Sequence, residues 1–111
     1  MQEKNIFLTG IPDLIILLIL RESDSYVYEI VKIISERSNE KLTISQNTVY
    51  TAIYKLSLAG YLSEYSKQVG KRRTRVYYHL EEKGIEYLNL LLKNYEDATE
   101  GTRIILQTFQ H

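Results

Sequence analysis

The spacing of apolar residues changes along the chain, and each change marks an element. From Leu14 to Leu20 nearly every position is apolar, which predicts a helix buried on most of its faces. Gly10-Ile11-Pro12 marks its start, because proline in the first turn has no hydrogen bond to lose. Arg21-Glu22-Ser23-Asp24-Ser25 is a polar break, and Asp24 or Ser25 is expected to cap the next helix. That helix runs from about Tyr26 to Ser38, with Tyr26, Ile30, Ile33 and Ile34 on one face and Glu29, Lys32, Glu36 and Arg37 largely on the other. Asn39-Glu40-Lys41 turns the chain into Leu42-Thr43-Ile44, which either adds a short strand or packs under a hairpin further along the chain.

A third helix opens at Ser45, a good N-cap, and carries Val49, Ala52, Ile53, Leu56 and Ala59 at helical spacing. Gly60 stops it, since glycine accepts the left-handed backbone of a C-terminal cap. The period then falls to two. Tyr61-Leu62-Ser63-Glu64-Tyr65-Ser66 and Val76-Tyr77-Tyr78-His79-Leu80 read as strands, and the segment from Lys67 to Arg75 reads as the loop of a hairpin between them. Glu81-Glu82 places negative charge at the start of a last helix, and Ile85, Leu88, Leu91, Leu92 and Tyr95 form its apolar stripe. This helix is expected to reach towards Gln110, with Gly101 as a point where it kinks or ends. At that length it spans on the order of 40 Å, more than a small helical core can cover. Its surplus apolar positions, Ile104, Ile105, Leu106 and Phe109, therefore call for a second subunit.

The expected fold is mainly α with a small β-hairpin (α+β): a winged helix-turn-helix over residues 1–80 and a dimerisation helix over residues 81–111. The pattern shows no internal repeat, and Met1 to Thr9, polar apart from Ile6-Phe7-Leu8, reads as an arm or a turn of helix. Composition adds little until it is read locally. Net charge is +0 over 111 residues, yet Lys67, Lys71, Arg72, Arg73 and Arg75 fall in one segment without an acid. Clustered cations on a hairpin tip bind phosphate, because each neutralised phosphate releases condensed counterions. With no cysteine there is neither a disulfide nor a thiolate metal site. The apolar run from Ile11 to Leu20 contains Asp13 and is about half the ~20 residues of a bilayer span, so a cytoplasmic protein is expected.

Tyr26-Val27-Tyr28-Glu29-Ile30, Thr48-Val49-Tyr50-Thr51-Ala52-Ile53-Tyr54-Lys55-Leu56, Gly60-Tyr61-Leu62, Gly70-Lys71-Arg72-Arg73, Tyr77-Tyr78-His79-Leu80 and Lys83-Gly84 occur in an order that resembles the PadR family of transcriptional regulators. The likeness spans about Ile11 to Tyr95, and the single helix after the wing is similar to the family's compact subfamily. Thr51 stands where the family often has proline, Val27 where it often has glycine, and Glu81 where a threonine is usual. The resemblance implies a homodimeric repressor on a palindromic operator of double-stranded DNA, released in some members by a small aromatic or hydrophobic effector.

Roles follow from position. Gln46, Asn47, Thr48, Tyr50, Thr51 and Tyr54 are expected on the outward face of a recognition helix, with Lys55 reaching phosphate. Lys71, Arg72, Arg73 and Arg75 are expected to grip the backbone from the wing. The dimer interface is assigned to Leu88, Leu92, Ile105 and Phe109. An effector site near that interface, which the resemblance implies, falls on Phe7, Leu14, Leu91 and Tyr95. His79 and His111 have no Ser, Asp or Gly-rich companions in a catalytic arrangement, so no catalysis, metal or cofactor is expected. The competing reading is a winged helix whose tyrosine-rich surface contacts protein instead of DNA.

Overall fold

Gly10 enters the first helix with a left-handed φ of 83°, and Pro12 follows in the opening turn. From there the computed structural model, which describes Phe7 and residues 9–109, runs α1 (Ile11–Glu22), α2 (Val27–Arg37), α3 (Gln46–Leu58), β1 (Leu62–Gln68), β2 (Thr74–Leu80) and α4 (Glu82–Thr108). The expectations placed on Ile6, Leu8, Gln110 and His111 lie outside the described residues.

The nearly all-apolar α1 is the centre of the packing and lies against α3, α4 and β2. Ile16 and Leu17 of α1, Ile30 of α2, Val49 and Leu56 of α3 and Leu88 of α4 are shielded from solvent in one core. Ile44 joins this core as a buried side chain without forming a strand, which excludes the strand reading of Leu42-Thr43-Ile44.

The start of α3 follows its local signals. Ser45 Oγ accepts from the Thr48 backbone N–H at 3.2 Å, and the helix stops ahead of Gly60, whose φ of 84° few other residues adopt without strain. The start of α2 does not. Tyr26 is its N-cap and provides no side-chain cap. Asp24 and Ser25, expected as caps, are drawn instead to the hairpin: Ser25 pairs with Tyr78 as an isolated bridge, and Asp24 bonds to residues of both strands.

β1 and β2 pair antiparallel from Leu62↔Leu80 to Gln68↔Thr74. Lys67 and Arg75, read from sequence as loop residues, face each other inside the ladder, so the strands extend further than expected. The loop is confined to residues 69–73 and is closed by the Val69 N–H donating to the Arg73 carbonyl at 2.8 Å.

α4 crosses the core at its first turns. A Cβ on Gly84 would lie 2.3 Å from the Tyr61 carbonyl oxygen, so this approach requires glycine. Beside it Lys83 donates to the Ala59 carbonyl at 3.0 Å, satisfying the C-terminal end of α3, and Tyr61 stacks on Tyr87 at 4.3 Å. Beyond the half-buried Leu91 and Leu92 the helix projects from the core and continues through Gly101 without interruption. The protein is elongated, 61 × 37 × 21 Å.

Candidate nucleic-acid interface

Inward-facing Val49, Ala52, Ile53 and Leu56 leave the other side of α3 to solvent. Gln46, Asn47, Thr48, Tyr50, Thr51 and Tyr54 are all exposed. Some of their polar atoms are already engaged. Thr48 belongs to the cap, accepting from the Ser45 hydroxyl at 3.0 Å, and the Thr51 hydroxyl donates to the Asn47 carbonyl at 2.9 Å. Asn47 is exposed on that face, and so are the rings of Tyr50 and Tyr54 that follow it along the helix.

Lys55 has a different geometry from the one expected of a phosphate contact. It lies at the edge of α3 towards α1, with Nζ 2.8 Å from the carboxylate of Asp13, a buried acid. The hydrogen bond to Asp13 raises the Lys55 pKa above its ordinary value, against the smaller opposing effect of partial burial. The pair also suits both helix dipoles, since Asp13 is in the first turn of α1 and Lys55 in the last turn of α3.

The wing divides its cations by position. Lys71, Arg72 and Arg73 occupy the exposed tip. Arg75 is half-buried, with its guanidinium 4.3 Å from the centre of the Tyr26 ring, and Lys67 lies 5.6 Å from Tyr77. Tyr26 meets Tyr77 edge-on at 5.5 Å, and Tyr77 stacks on Tyr65 at 5.7 Å. Alternate strand residues therefore form an aromatic and cationic surface on one face of the hairpin, while Leu62, Tyr78 and Leu80 on the other enter the core. The part played by Tyr26, Tyr65 and Tyr77 was not read from the sequence, although the two-residue period of the strands puts Tyr65 and Tyr77 on a shared face.

The residues assigned to an effector come together. Phe7, Leu14, Leu91 and Tyr95 line one cleft between α1 and the projecting part of α4, with a volume of about 1020 Å³, and Leu92 lines it too. The interface assignment of Leu88 is corrected: it has no exposed surface and is consumed by the protomer's own core. Ile105 and Phe109 are exposed on the last turns of α4, with Ile104 and Leu106 beside them. Among the described residues no cluster of His, Asp or Glu could hold a metal ion, and no helix is long and apolar enough to cross a membrane.

The family model of PadR-like transcriptional regulators matches residues 16–90. The chain belongs to that family. The PadR-like chain is 31% identical to a transcriptional regulator from Clostridium thermocellum, whose structure superposes with a TM-score of 0.81 and covers 96% of this chain and 100% of that one. It is 33% identical over 91 residues to an uncharacterised protein of Lysinibacillus sphaericus, covering 82% of this chain and 84% of the relative. PadR of Bacillus subtilis, solved in complex with operator DNA, shares the fold at a TM-score of 0.69 and 21% identity, over 74% of this chain and 46% of that one. The PadR-like fold of this chain is thus an α+β winged helix followed by a long C-terminal helix.

Proposed function

We propose that this PadR-like protein is a sequence-specific, homodimeric repressor of the cytoplasm that occupies a palindromic operator and so occludes a promoter. The observation that carries the DNA reading is the cationic tip at Lys71, Arg72 and Arg73, which projects beyond the last strand pair and is exposed. Asn47 with Tyr50 and Tyr54 on α3 supplies the base-reading face, and the wing supplies the phosphate grip. Ile104, Ile105 and Leu106, 48%, 59% and 59% exposed on a helix that has left its own core, supply the surface that a second copy covers. Two recognition helices then read half-sites about one DNA turn apart.

The cleft lined by Phe7, Leu14, Leu91 and Tyr95 is the proposed entry point for a small aromatic or hydrophobic effector, with Tyr95 able to stack on a planar ring. Binding there would favour an arrangement of the two subunits that fits the operator poorly.

The test is binding of the purified protein to the DNA upstream of its own gene, against a scrambled duplex, over a salt series. Two protomers per site, preference for the upstream DNA and a steep loss of affinity with salt are expected. Salt-insensitive binding would instead favour a protein-contact role for the tyrosine-rich surface.

A further inference from the structure

The wing is attached to the rest of the protein on both of its faces. On one, Leu62, Tyr78 and Leu80 are buried in the core. On the other, near the same end of the hairpin, the attachment is polar and comes from the short connection between α1 and α2. Asp24 Oδ1 lies 2.8 Å from His79 Nδ1 on β2, while Tyr65 on β1 donates its hydroxyl to Asp24 Oδ2 at 2.8 Å. One carboxylate thus ties both strands to the helical core. The neighbouring Ser25 completes the link: the Tyr78 N–H donates to its carbonyl at 2.9 Å. A two-stranded ribbon is marginal in water without such support.

We infer that Asp24 is a wing-positioning residue, a carboxylate clamp that fixes the direction in which the basic tip leaves the core and hence the fit of wing and α3 to a duplex. The inference rests on the DNA-binding reading for its consequence, although the clamp itself is a property of the hairpin. The charge of Asp24 separates two outcomes. Asp24 is an acid beside a cationic wing, so electrostatics alone predicts that neutralising it tightens DNA binding. A positioning role predicts the opposite sign.

The groups facing this site are Asp24 from the α1–α2 connection, Tyr65 and Ser63 of β1, Tyr77 and His79 of β2, and Glu81 at the start of α4. The bond to Asp24 raises the pKa of His79 above its usual value, opposed by slight burial and helped by the charges of Asp24 and Glu81. Burial alone would raise the Asp24 pKa, but the hydrogen bonds from His79 and Tyr65 outweigh it and hold the carboxyl below its usual value. The imidazolium–carboxylate form is complete below the ordinary histidine pKa of 6.5 and is lost as pH rises through the raised value. At the acid end it is lost as pH falls through the lowered pKa of Asp24.

The experiment pairs amide hydrogen exchange across residues 62–80 with fluorescence anisotropy on a labelled mixed-sequence duplex, from about pH 6 to about pH 9. Asp24→Asn is expected to speed wing exchange and weaken duplex binding about fivefold, with exchange in α1 and α3 unchanged. Relative to the intrinsic base-catalysed rate, wing protection in the wild type is expected to fall as pH rises through the raised His79 pKa, and in His79→Gln that fall is expected to be absent. Unaltered wing exchange in Asp24→Asn, or tighter duplex binding by it, would overturn the clamp. If Asp24→Asn fails to fold, the double variant Tyr65→Phe, His79→Val, which removes both donors at exposed positions, decides by the same readings. Failure of the wild type to bind any duplex would count against the DNA reading, while the exchange arm would still judge the clamp.

Discussion

Lys55 and Asp13 join the end of α3 to the beginning of α1 through a 2.8 Å ion pair in which the acid is buried and the base reaches out to meet it. The partners are unequal: the lysine side chain is 68% exposed and the aspartate 12%. Losing the lysine therefore costs more than an ordinary surface pair, because a nearly buried carboxylate is left without its donor. Lys55→Met is expected to lower stability by about 1–2 kcal/mol, and adding Asp13→Asn should restore part of it. Because the lysine pKa is raised, its stabilising charge is present below the ordinary value of 10.5 and is lost only as pH rises through the still higher folded value. Urea unfolding at neutral pH checks the cycle, and equal stability of wild type and Lys55→Met would show the pair to be idle.

Gly84 offers a sharper test of packing. An added methyl group would meet the Tyr61 carbonyl and the Leu80 side chain, both held by the core, so Gly84→Ala should destabilise by about 1–3 kcal/mol despite the gain in helix propensity. Gly101→Ala provides the internal contrast, since an added Cβ there meets nothing within 4 Å. That change should stabilise by up to about 1 kcal/mol. Thermal melts of the two variants should move in opposite directions.

The division of wing cations predicts unequal effects on DNA. Arg72→Ala removes a tip charge and should weaken all duplexes about equally, lowering the salt slope by about 1. Arg75→Ala removes a guanidinium packed over Tyr26, so its first effect should be faster amide exchange in the hairpin. Asn47→Ala should change discrimination between upstream and scrambled DNA more than it changes the slope. Parallel salt titrations of the variants distinguish these outcomes.

A charge placed on the projecting part of α4 tests the dimer. Ile105 is 59% exposed in the protomer, and Ile105→Glu would bury an unpaired carboxylate wherever a second copy covers it. Light scattering should show a loss of self-association of about 100-fold or more, with helix content unchanged. A dimer unaffected by Ile105→Glu would move the interface off this face.

The features legible in the sequence are those that are local in the chain. The Ser45 cap and the Gly60 stop depend on residues within one turn, and the structure has both. In the sequence the strands read as shorter than they are because a run of cations resembles a loop, whereas pairing of Lys67 with Arg75 is decided by the ladder and by aromatic rings alongside it. Asp24 looked like a helix cap for the same reason. Its actual partner, His79, is 55 residues away, and no periodicity reports a contact of that range. Gly84 appeared in sequence only as part of a Lys-Gly pair, and its need for close approach emerges when α4 crosses Tyr61. Leu88 fitted the apolar stripe of α4 as well as its neighbours did, and only the depth of the first turns in the core separates it from them.

The unbroken course of α4 through Gly101 makes it a lever. Its first turns are locked to the winged core, and its 27 residues span about 40 Å. In the proposed dimer, a pivot of about 5° where two such levers meet would carry each α3 through about 3.5 Å, close to the ~3.4 Å rise of a base pair along one strand. A small rotation at the far end would then be enough to put each proposed reading helix one base step out of phase with the operator.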